Sequence, residues 1–89
     1  MFTPTRAVKL PNERIALCDD DDYTEIFGVV VSLSSIINSD FEGFLDMLSE
    51  EATGSESMQD ISYSLIGVLD GDLVFKVTGV ITDIDTEPV

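Results

Sequence analysis

A chain of 89 residues, 44% apolar and 25% charged, holds material for one hydrophobic core and no more. Its charge is lopsided, with 18 acidic residues against Arg6, Lys9, Arg14 and Lys76, a net −14. A field of that sign repels DNA, RNA and anionic lipid surfaces and attracts basic proteins or cations, which excludes direct nucleic-acid and membrane binding from the expected functions.

The expected organisation is a single small acidic domain over residues 1–89, with loosely held ends at 1–4 and 83–89. No stretch pairs a basic segment with an apolar one as a secretion signal does, and no apolar run is long enough to span a bilayer. The cytoplasm is the expected compartment.

The segment TRAVKLPNERIALC offers two short β segments, near residues 5–10 and 14–18, on either side of Pro11-Asn12-Glu13. Proline cannot donate to a strand ladder and Pro-Asn favours a turn, so a hairpin or bend is expected there. Four consecutive aspartates, Asp19, Asp20, Asp21 and Asp22, follow, and then YTEIFGVVVSL. From Ile26 to Val31 both alternating faces are apolar apart from Gly28, the pattern of a strand covered on both sides.

SDFEGFLDMLSEEATG predicts the one amphipathic helix. Ser39 and Glu42 have the spacing of a capping box. Phe41, Phe44, Leu45, Leu48 and Ala52 fall on one helical stripe, and Gly54 stands where a left-handed cap belongs. Ile37 would join the same stripe if the helix began a turn earlier.

ISYSLIGVLDGDLVFKVTGVIT predicts a β-hairpin. A two-residue Asp70-Gly71 turn would set odd residues opposite even ones and bring Leu65 beside Lys76. A three-residue loop, Leu69-Asp70-Gly71, keeps Leu65 opposite Phe75 and Tyr63 opposite Val77, and is the expected connection. The remaining face carries Ile66, Val68, Val74 and Val80, which do not suit bulk water, so cover by another surface is expected, a second subunit included. The fold expected from these elements is α+β. An antiparallel or mixed sheet of about five strands carries the helix on one face, in the order β-β-β-α-β-β.

Little in the inventory points to catalysis or to a bound cofactor. The chain has no histidine, hence neither the usual general base nor the usual zinc ligand. Cys18 is the lone cysteine, and the aspartates after it disfavour a thiolate, so it reads as a small buried hydrophobe. A calcium loop started at Asp19 would need glycine at its sixth position and glutamate at its twelfth, where Thr24 and Val30 stand. The aspartate run therefore reads as a solvated turn rather than a metal site.

The expectation is a noncatalytic protein-binding module with a protein partner, basic or a second copy of the chain. The candidate contacts are Asp19, Asp20, Asp21 and Asp22 for electrostatic capture, and Ile66, Val68, Val74 and Val80 for apolar contact. The alternative is an acidic inhibitor that imitates nucleic acid and occupies a basic DNA- or RNA-binding groove.

Overall fold

The computed structural model describes residues 3–54, 58–81 and 86–89, and for Pro88 the backbone alone. Its elements are β1 (Arg6–Lys9), β2 (Ile15–Cys18), β3 (Tyr23–Ser32), α1 (Leu33–Ile37), α2 (Phe41–Thr53), β4 (Met58–Leu69), β5 (Asp72–Ile81) and the two-residue β6 (Glu87–Pro88). The strands form one sheet in the order β4-β5-β3-β2-β1-β6, and every pairing is antiparallel. The expected five strands and packed helix are therefore present in the expected order, with α1 and β6 added. Glu87 lies opposite Lys9 and the Val89 amide donates to the Ala7 carbonyl. The ends expected to be loosely held lie outside the described residues at 1–2 and 83–85.

The first hairpin turns through Pro11–Glu13 and is tied to the far end of α2. The Asn12 side-chain amide donates to the carbonyls of Glu51 and Ala52, and its Oδ1 accepts from the Arg14 amide. Gly54 closes α2 at φ 82°, and a Cβ there would stand 3.1 Å from that of Asn12, so only glycine meets both demands.

The helix starts one residue later than a Ser39 cap would set it. Ser39 Oγ donates back to the Ser35 carbonyl of α1, which leaves Asp40 as N-cap, its Oδ1 accepting from the Gly43 amide at 2.7 Å. Ile37 does not extend α2. It ends the separate helix α1, which is capped by Ser32 and stopped at Asn38.

Phe44, Leu48 and Ala52 are buried on the sheet, together with Ser49 and Thr53. Phe41 is 64% exposed, against the stripe reading. It shares the azimuth of the stripe but stands in the first turn, ahead of Phe44, the first buried residue of the helix. The core is completed from the sheet by Val8, Leu10, Ala16, Cys18, Ile26, Val29, Val31, Met58, Phe75 and Val77. Phe44, Tyr63 and Phe75 meet edge to face, with centroids 5.0–5.9 Å apart.

The closing hairpin corrects the expected loop. Leu69 pairs with Asp72, so the turn has two residues, Asp70 and Gly71, both at positive φ (50° and 86°) as a type I′ turn requires. The register then shifts by one between Leu65 and Gly67, which sets Leu65 opposite Phe75 and Tyr63 opposite Val77. The pairing is the expected one. It is reached by a tight turn plus a bulge at Ile66 rather than by a longer loop.

β3 is central in the sheet but covered on one face only. Phe27 (51% exposed) and Val30 (37%) look away from the helix. Neighbouring strands satisfy a central strand's backbone, but covering both faces needs two layers, and the described chain supplies one.

Candidate functional site

The eight expected contact residues do not form one site. The aspartate run is the β2–β3 turn, and most of it is bound internally. Asp19 Oδ1 accepts from the amides of Asp21 and Tyr23, at 2.9 and 3.0 Å. Asp20 accepts from the Thr5 hydroxyl. Asp22 takes a left-handed conformation (φ 61°) and pairs with Arg6, which also donates to the Asp19 carbonyl at 2.6 Å. This is an aspartate-built turn closed by an arginine from the neighbouring strand. Among the described residues only the Asp21 carboxylate of the four has no hydrogen bond or ion pair.

Val80 lies beside that turn, opposite Tyr23, and the Ile81 amide donates to the Asp22 carbonyl. Val74 is six residues further along β5, about 20 Å away at the rise of an extended strand. It pairs with Gly67 and Val30 on the open face, whereas Val68 pairs with Leu73 and Val31 on the helix face. Ile66 occupies the bulge. The apolar candidates are thus divided between two faces and two ends of the hairpin, because the bulge exchanges odd and even positions.

β4 itself is the most exposed apolar element of the fold. It is the outer strand on its side of the sheet, twelve residues long, and Met58–Leu69 holds no lysine, arginine or proline to discourage pairing with another chain. Leu65, Ile66, Val68 and Leu69 are each more than half exposed. Leu65 and Leu69 were missed as contact residues because alternation assigned Leu65 to the core; α2 reaches Tyr63 and stops short of it.

Between α2 and β4 lies a cleft of about 270 Å³. Leu45, Met58 and Ile61 line it, with the carboxylates of Glu42, Asp46 and Asp60. Glu42 and Asp46 are one helical turn apart, which a sequence can show. Asp60 joins them through an irregularity in β4, at φ 54°, which a sequence does not show. Among the described residues no group of three or more metal-ligating side chains is arranged to hold an ion, and no helix is long and apolar enough to cross a membrane.

The geometry defines a class: a small antiparallel α+β domain, one helix on one face, with an open sheet face and a free apolar edge. No family model, curated protein or solved structure matches the chain.

Proposed function

We propose that this is a noncatalytic protein-binding module whose free β4 edge pairs with an extended segment of a partner protein. The observation that carries the reading is the edge strand itself. Among the described residues its outward amides and carbonyls have no further strand to meet, and its exposed apolar side chains flank that ladder on both faces. An added strand gains main-chain hydrogen bonds there, with side-chain contacts supplying selectivity. A second copy of the chain is also a protein partner that a partly uncovered sheet can accept.

The acidic cleft favours a basic partner. An apolar floor with three carboxylates suits the stem and head of a lysine or arginine. The runner-up, an acidic imitator of nucleic acid, draws on the same charge. It draws less on Asp19, Asp20 and Asp22, whose carboxylates are already engaged within the turn.

Affinity capture at low and high salt separates the two. Edge pairing predicts a partner retained at high salt and lost when Val68→Asp or Ile66→Asp places a charge on β4. Imitation of nucleic acid predicts capture of basic nucleic-acid-binding proteins, released as salt screens the charges and indifferent to those substitutions.

A further inference from the structure

We propose that the open face of the sheet, opposite α2, is a self-complementary interface on which a second copy of this chain docks face to face. Ile15 and Phe27 stand 52% and 51% exposed on the two central strands β2 and β3, and Val30 and Val74 continue the patch onto β5. No described element covers them. Scattered exposed apolar residues need no explanation, but a run of them across neighbouring central strands does.

Charge decides the occupant. The open face holds two of the four cations, Lys9 and Lys76. Its carboxylates are Glu25 near the centre, Glu87 beside Lys9, and Asp72 where β5 begins. The four acidic residues of α2, its N-cap Asp40, the aspartate turn and Asp70 lie elsewhere. This is nearly balanced ground on a chain of net charge −14. A basic partner is drawn to the other surfaces, and nucleic acid is repelled by the molecule as a whole. A second copy meets here with its own negative surfaces turned outward.

Glu25 and Lys76 supply the register. Glu25 lies opposite Thr78, two residues from Lys76 on the adjacent strand, so both point from the same face. Among the described residues no ion pair joins them. A twofold axis in the plane of the interface, passing between them, sets Glu25 of each copy against Lys76 of the other, as an isologous contact requires. The face is about 33 Å long over β4, β5 and β3 and about 13 Å long over the four-residue β2 and β1, with strands about 4.8 Å apart. That is on the order of 600 Å² per copy, or about 1,200 Å² in total, the lower end of what stable specific interfaces bury.

The surface is separate from the β4 edge, so the two readings stand or fall independently. The test is sedimentation equilibrium of the full chain up to high micromolar concentration, with circular dichroism to show that each variant is folded. The expected result is a dimer of the 9.7 kDa chain. Phe27→Asp should make it monomeric. Lys76→Glu and Glu25→Lys should each weaken association by about tenfold, while the double exchange restores it. Val68→Asp on β4 should leave it unchanged. A monomer at all concentrations overturns the proposal, as does a dimer abolished by Val68→Asp and untouched by Phe27→Asp. Failure of the double exchange to rescue the single variants overturns the Glu25–Lys76 pairing, and with it the assigned face. Should Phe27→Asp not fold, the charge-exchange series decides alone, because both positions are solvent-accessible.

Discussion

Leu48 has no accessible surface and lies one turn from both Phe44 and Ala52, where α2 meets the sheet. Cutting it to alanine leaves a cavity that a single helix on a short sheet cannot close by shifting. Leu48→Ala should therefore cost about 3 kcal/mol in urea unfolding. The same substitution at Phe41, which is mostly exposed, should cost less than about 1 kcal/mol. The comparison checks whether position along the helix axis, and not the helical stripe, decides burial. Cys18 is buried at 1% exposure, its sulfur 3.4 Å from the Thr24 hydroxyl. A thiol reagent should label it only as the chain unfolds, and rapid labelling of the native protein would contradict that packing.

At the scale of elements, the β4–β5 hairpin shows how two local irregularities combine. The Asp70-Gly71 turn alone would put Ile66 opposite Phe75 and Leu65 opposite Lys76 and send Tyr63 out of the aromatic cluster; the extra residue at Ile66 restores the pairing. Deleting Ile66 removes the extra residue and should leave Leu65 opposite Phe75 and Tyr63 opposite Val77 in a regular ladder. The Phe44–Tyr63–Phe75 contacts and the near-ultraviolet signal of Tyr63 should be kept. Loss of both in the deletion variant would show that the turn changes instead and shifts the register. The Asp40 carboxylate caps the N-terminus of α2, so Asp40→Ala should destabilise the fold by about 1 kcal/mol, measured by the same urea titration.

For the whole molecule, the net charge of −14 is the dominant long-range term. Described ion pairing amounts to Arg6 with Asp22, both partly exposed, which offsets little of it. Added sodium chloride should therefore raise the melting temperature between low and moderate concentration, as the distance over which the carboxylates repel one another shrinks below about 10 Å. A melting temperature that does not change with salt would mean the acidic groups lie too far apart, or too well hydrated, to strain the compact state. The same separation of charge leaves the sheet's open face as the region best suited to burial against another copy.

Sequence alone was enough for the order of elements, the helix C-cap at Gly54, the burial of Cys18 and the aspartate run as a turn. Each depends on a local pattern: spacing along one helix, the φ a glycine permits, or the hydration of adjacent carboxylates. It was also enough for the pairing of Leu65 with Phe75, though by the wrong turn, because alternation constrains which faces meet without saying where an extra residue is absorbed. Tertiary structure decided which apolar residues have something to pack against. Phe41, Phe27, Val30 and Leu65 all have the letters of core residues, yet one helix is too short and too narrow to cover them. Burial is a property of what lies opposite a side chain, and among the described residues no second layer lies opposite the sheet's open face.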